Sequence, residues 1–293
     1  MLHTDIATEL RGKSISTEVS PLSFREYVAF QPVEPPTFST NGIASLRRYF
    51  EQYLASGSYP AMALIEPATT DVLLREYFDI MILKDLIQRH GVSSPDNLMA
   101  FCRYLFSQIG KPFTLNSTYN HLVAGGMKTS RNALTEYLGW LRDSFALDTE
   151  GLFTSSIGEY ERNYRKPYAI DWALAVKNSP VWDGSLSRAF ENCIARHLRG
   201  RFKSIGSYLT KSDKKEVDFV CADASGNPRQ LVQACLEFSS VETFQREIGP
   251  LVATARYLGT KENLVVTVNT AEVHTIDGVE VRCVPAWRWL VES

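Results

Sequence analysis

Apolar positions along the chain change period near its middle. Between residues 24 and 145 they recur every three or four positions, as one face of a helix does; beyond residue 204 short runs rich in Val, Ile and Phe take over. Helices are predicted at Ile43 to Ala55 and Val72 to Arg89, with three more across residues 95–145. Ser23-Phe24-Arg25-Glu26 sets a serine cap three residues ahead of a glutamate, a capping box that opens another helix. Ser16-Thr17-Glu18-Val19 reads as a short strand, and Gln31 to Asn41, with three prolines, as a loop. Later come a helix from Ser185 to Arg199 and strands near Gly206 to Thr210, Glu216 to Ala222 and Gln230 to Phe238. A helix at Glu242 to Tyr257, strands at Leu264 to Val268 and Val279 to Val284, and a closing Pro285-Ala286-Trp287 turn follow. Strands alternating with helices of these lengths predict a central sheet covered by helices.

The last two helices of the 95–145 region, Asn116 to Ala124 and Thr129 to Phe145, are joined by Gly125-Gly126-Met127. In the second, Leu134, Leu138, Leu141 and Phe145 share one face and leave Lys128, Arg131 and Arg142 outside. This is helix-turn-helix spacing, with Leu147 to Ile157 as the expected wing and those three basic residues as candidate DNA contacts. A compact helical domain packed on its neighbours stays open as the alternative.

Charge narrows the picture only locally. The 293 residues carry 31 Lys+Arg against 33 Asp+Glu, a net charge of −2, so nothing global advertises nucleic acid. Between Arg188 and Glu216, however, eight basic residues face three acidic ones, an excess able either to neutralise phosphates or simply to solvate a surface. Five cysteines, without CxxC spacing and mostly in apolar runs, predict buried reduced thiols, hence a cytoplasmic protein, and argue against zinc. No apolar stretch is long enough to span a bilayer, so no membrane partner is expected.

The candidate chemistry lies in Glu216-Val217-Asp218-Phe219-Val220 and, after a turn at Ser225-Gly226-Asn227-Pro228, in Gln233-Ala234-Cys235. Folding the hairpin about that turn sets Asp218 opposite Gln233, with Glu216, Asp218 and Val220 on one face and Gln233, Cys235 and Glu237 on theirs. An acidic strand followed by Glu/Gln-x-Lys is the pattern of a metal-dependent nuclease, in which carboxylates hold Mg²⁺ and a lysine positions the water. Here Cys235 stands at the lysine position and Gln233 at a carboxylate position. Glu191 on the preceding helix completes the expected set of Glu191, Asp218, Gln233 and a lysine, Lys215 or its neighbour Lys214. Asp218 and Glu191 would be the Mg²⁺ ligands. A neutral amide and a thiol weaken such a centre, which reads as degenerate.

Seven segments, in order, resemble a prokaryotic AAA-type ATPase family whose P-loop domain precedes a winged helix and a restriction-endonuclease-like domain. Thr8 to Lys13 is similar to its T-x-L-R-G-R/K, Pro21 to Tyr27 to P-L/F-S-F-x-E-F/Y, and Tyr53 to Pro60 to Y-L-x-x-G-G-F-P, with Ser58 for a glycine. Lys166 to Asp171 resembles K-x-Y-x-x-D, Gly184 to Glu191 resembles G-x-x-x-E-N, Glu216 to Val220 matches E-V-D-F-V, and Gln233 to Cys235 a Q-V-C variant. The resemblance implies a multi-domain α/β chain. Residues 1–70 would be an ATPase remnant with its helical lid, 71–165 a helical winged-helix-like domain, and 166–293 a restriction-endonuclease-like α/β/α domain. The chain has no G-x-x-x-x-G-K-[ST], so ATP is not expected to bind it alone, and it resembles a member truncated inside its ATPase domain. Arg11 falls where the family has a nucleotide-sensing arginine, able to act on a neighbour's phosphate, or else is a plain surface residue. The expected function is that of an interaction module, binding DNA, an ATPase fragment or another protein. A metal-dependent endonuclease and a winged-helix regulator are the alternatives.

Overall fold

The computed structural model of the chain describes residues 17–31, 38–179, 186–238 and 240–293. Arg11, its surrounding motif, and Gly184 therefore lie outside the described residues. The architecture is mixed α and β, with a helical N-terminal half and a sheet-based C-terminal half.

The helical half opens at α1 (Phe24–Ala29), where Ser23 and Glu26 form the expected capping box. Thr17 to Val19, read as part of a strand, has no regular secondary structure. The chain continues through α2 (Thr40–Ser56), a 3₁₀ turn at Pro60–Ala63 and α3 (Pro67–Ile80), which runs straight into a π-helical segment, Met81–Gln88. The single helix expected at 72–89 thus widens in its second half. Next are α4 (Pro95–Ser107), α5 (Leu115–Ala124) and α6 (Arg131–Asp143), capped by Thr114 and Ser130 at the last two.

A small antiparallel pair, β1 (Leu147–Glu150) and β2 (Lys166–Ala169), joins the two halves, with α7 (Ile157–Arg162) between them. Sequence periodicity missed both strands because each is only four residues long. The segment expected as a wing does not project. Phe153 N–H donates to Ser207 and Ser207 N–H to Gly151, and a Cβ on Gly206 would meet the Gly151 oxygen at 2.8 Å. The close backbone approach that glycine permits pins the segment to the sheet.

After α8 (Trp172–Asn178) and α9 (Leu186–Arg199) come β3 (Ser204–Leu209), β4 (Glu216–Ala222), β5 (Pro228–Ala234), α10 (Val241–Leu258), β6 (Glu262–Thr267), β7 (Glu272–Ile276), β8 (Val279–Pro285) and α11 (Ala286–Glu292). The order in the six-stranded sheet is β3-β4-β5-β6-β8-β7, parallel only at β5–β6 and β6–β8. Phe219, Cys221, Val232, Leu264 and Val266 pack into a core that continues through α9 and α11 into the helical half. Val217, Val220, Leu231, Val265 and Val281 form a second core under Ile248, Leu251 and Val252 of α10. The sheet is therefore covered on both faces. The expected closing turn is a helix, and β7 is an edge strand that the sequence pattern did not reveal.

Two of the resemblance motifs meet in one joint. Asp171 caps α8 through Ala173 and Leu174 N–H and also accepts from the Ser58 backbone and hydroxyl. Gly57, at φ 86°, leaves room for it: a Cβ there would lie 2.4 Å from the Asp171 carboxylate. Trp172 donates its indole N–H to Leu54 O at 2.9 Å and packs edge-on against Tyr53. Among the described residues no helix is long and apolar enough to cross a membrane.

Candidate functional site

The β4–β5 hairpin adopts the expected register. Phe219 pairs with Val232 and Cys221 with Gln230, and the ladder slips only at the turn, where Asp223 accepts from Ser225 and Asn227 N–H and Gly226 takes φ 80°. Asp218 and Gln233 are adjacent, but their contact is not a ladder pair. Asp218 N–H donates to Gln233 Oε1 at 3.1 Å, and Ala234 N–H donates to Asp218 Oδ2 at 2.9 Å.

A bulge explains the exchange. Gly206 pairs with Val220 and Tyr208 with Val217, so Asp218 and Phe219 together oppose Ser207. Such an extra residue bends the strand and re-aims its side chains. Val220 consequently joins Val217 in the core under α10 and does not share the face of Glu216 and Asp218, as strict alternation had predicted. The two polar heads also diverge. Gln233 Nε2 donates to Glu247 Oε2 on α10 at 2.7 Å, whereas the Asp218 carboxylate turns towards β2 and α9.

There it meets a lysine that was not singled out as a site residue. Lys166 Nζ lies 2.8 Å from Glu216 Oε1, 3.0 Å from Glu191 Oε1 and 3.7 Å from Asp218 Oδ1. Its side chain is 5% exposed. Two residues along β2, Tyr168 donates its hydroxyl to the same Glu191 oxygen at 2.7 Å. Asn192 of α9 fixes the strand, accepting from Ala169 N–H and donating to Ala169 O. Glu191 and Asn192, the E-N of one motif, thus grip Lys166, Tyr168 and Ala169 of another. Its place in K-x-Y-x-x-D was the only sequence signal for Lys166; the hairpin pattern holds none.

Electrostatics follow from this packing. Burial alone would lower the Lys166 ammonium, but Glu191, Asp218 and Glu216 outweigh it and raise its pKa above the ordinary lysine value. Burial, followed by the nearby Glu191 charge, holds Asp218 well above the usual carboxylate range, although Lys166 and the Ala234 N–H pull the other way. Burial, then Glu191, likewise raises the Tyr168 phenol. Cys235 is buried, donates to Glu237 O, and is pushed up to about 11, first by burial and then by Glu247.

Glu191, Glu216, Asp218, Gln233, Cys235 and Lys215 all line one cleft of about 770 Å³. Lys215, the expected catalytic lysine, turns away and pairs with Asp213 at 3.1 Å with over half its side chain exposed. Its neighbour Lys214 sits in the turn between β3 and β4 with φ 56°. The Mg²⁺ reading for Glu191 and Asp218 does not fit this arrangement. Their oxygens converge on an ammonium, Gln233's amide oxygen is taken by a backbone N–H, and among the described residues no group of His, Cys, Asp or Glu is set to hold a metal.

The local basic excess near the cleft is largely paired internally. Arg188 donates to Ser107 O, Arg196 pairs with Asp148, Arg199 with Asp148 and Glu150, and Lys211 donates to the Tyr257 hydroxyl. The three candidate DNA contacts are spread out. Lys128 is exposed at the turn before α6; Arg131 bonds Asn116 at 2.9 Å and lies 4.3 Å over the Tyr119 ring. Arg142 is three helical turns on, roughly 16 Å along the axis, beside a separate cleft lined by Glu18, Asp85 and Asp143. All five cysteines are buried and free.

Residues 47–181 match the family described as a domain of unknown function (DUF8612), a span that includes Gly57, Lys166 and Asp171 but neither Glu191 nor Asp218. An uncharacterized protein of Methanocaldococcus jannaschii, MJ1544, is 27% identical over 308 residues, covering 99% of this chain and 66% of its own length. An uncharacterized protein of Haemophilus influenzae is 22% identical over 290 residues, covering 98% and 68% respectively. The chain thus spans about two thirds of the length of these relatives. No solved structure matches it.

Proposed function

We propose that this chain is a non-catalytic interaction module, resembling the C-terminal part of AAA-type ATPases, whose restriction-endonuclease-like domain keeps the nuclease framework without the reaction. One observation carries the reading: Lys166 Nζ sits within ion-pair distance of Glu191, Glu216 and Asp218, the residues that would have to bind the metal. Hydrolysis of a phosphodiester by this framework needs a divalent cation on those oxygens. A buried ammonium in the same place repels one. The cleft also has five acidic side chains, Glu191, Glu216, Asp218, Glu237 and Glu247, a poor surface for a polyanion.

DNA contact, on this reading, belongs to the helix pair α5–α6, where Lys128 and Arg131 flank the turn. Cytoplasmic location is proposed with it. The test is a cleavage assay on supercoiled and linear DNA with Mg²⁺ and with Mn²⁺, comparing the wild type with Asp218→Ala. Neither protein is expected to cut; cutting by the wild type that Asp218→Ala abolishes would establish the endonuclease alternative instead.

A further inference from the structure

Three carboxylates from two elements point at one atom. Glu191 comes from α9, Glu216 and Asp218 from β4, and all three approach the nitrogen that β2 delivers. Glu191 Oε1 accepts a hydrogen bond from the Lys166 ammonium, while Glu216 and Asp218 lie within ion-pair distance of it. In carboxylate sites the same point of convergence holds a Ca²⁺ or Mg²⁺ ion, at about 2.0–2.6 Å from oxygen.

We propose that Lys166 is a built-in cation: its ammonium stands where a divalent ion would otherwise sit, and loss of that side chain makes the cluster require one. The inference rests on the reading of the cleft given above and extends it to what holds the carboxylates together. The anchoring of the ammonium supports it. Asn192 clasps Ala169 from both sides, and Tyr168 fixes Glu191 from the same strand, so the lysine is delivered from a rigid element. The other basic residues lining the cleft are engaged elsewhere, Lys215 with Asp213 and Arg246 with Glu247. Without Lys166, three carboxylates would share a half-closed cleft, and an added cation offers the simplest relief.

Thermal unfolding of the full chain tests this, with Mn²⁺ as the probe against EDTA. Wild type is expected to melt at the same temperature in both. Lys166→Met is expected to melt lower in EDTA and to recover by several degrees in Mn²⁺, and Lys166→Met/Asp218→Ala to lose that recovery. A wild-type rise with Mn²⁺ that Asp218→Ala removes would overturn the inference. So would a folded Lys166→Met that ignores Mn²⁺, or one that fails to fold even with it. Mn²⁺ binding by a wild type that cuts no DNA would sink the built-in cation and leave the non-catalytic reading standing.

Discussion

At the residue scale, Lys166 and Asp218 have opposite effects on the balance of the cleft. Removing one partner of a buried ion pair leaves a charge without compensation, typically at a cost of about 3–5 kcal/mol. Lys166→Met should lose stability of that order in urea denaturation, because three carboxylates depend on one ammonium. Asp218→Asn should lose far less, since it relieves repulsion with Glu191 and keeps an acceptor for Ala234 N–H. The pH dependence has a definite sign. Asp218 titrates well above its ordinary 3.8, so the folded state binds the proton more tightly than the unfolded chain does. Its contribution is fully present below that value and is lost as pH rises through the folded-state pKa. Melting temperature plotted against pH should therefore decline less steeply in Asp218→Asn than in wild type; parallel curves would contradict the assignment.

At the scale of elements, two joints decide how the pieces fit. Gly57 lies in the left-handed region against Asp171, and an added methyl group meets both strain and a carboxylate. Gly57→Ala should cost more than about 1 kcal/mol, seen as a lower urea midpoint with an unchanged slope. The α5–α6 turn makes a separate prediction. If DNA is bound there, Lys128→Ala should weaken binding similarly for all sequences and lessen its dependence on salt; an unchanged salt slope would point away from this helix pair. Arg131→Ala is a less clean probe, because its guanidinium also ties α6 to Asn116 and Tyr119. The hairpin was legible from residue spacing, since the Ser225-Gly226 turn and period-two alternation fix Asp218 beside Gln233. The bulge was not. Its cause is the pairing of β4 with Gly206 and Tyr208, a partner strand that local pattern does not specify.

Across the whole molecule, the candidate site is assembled from segments far apart in sequence: β2, α9 and the β4–β5 hairpin. Asp218 and Gln233 were legible as neighbours from the acidic strand and its hairpin. Glu191, on α9, stood out only as a carboxylate of the preceding helix, and the Gln233 amide turns away to Glu247. The same pattern points to a nearby lysine, Lys215, whereas the cation that meets these carboxylates is Lys166, from a four-residue strand some fifty positions upstream of Asp218. Long helices and strands were read closely from periodicity, while β1, β2 and β7, short or at an edge, were too brief for a period to emerge. The same long-range assembly explains why segments that look unrelated in the chain form a single network around Lys166. The most direct measurement is lysine footprinting of the native chain with an acetylating reagent, read residue by residue by mass spectrometry. Lys166 should stay unmodified while exposed Lys128 and Lys203 react fully, and should become reactive only on unfolding. Acetylation of Lys166 in the folded protein at the rate of those surface lysines would contradict the account.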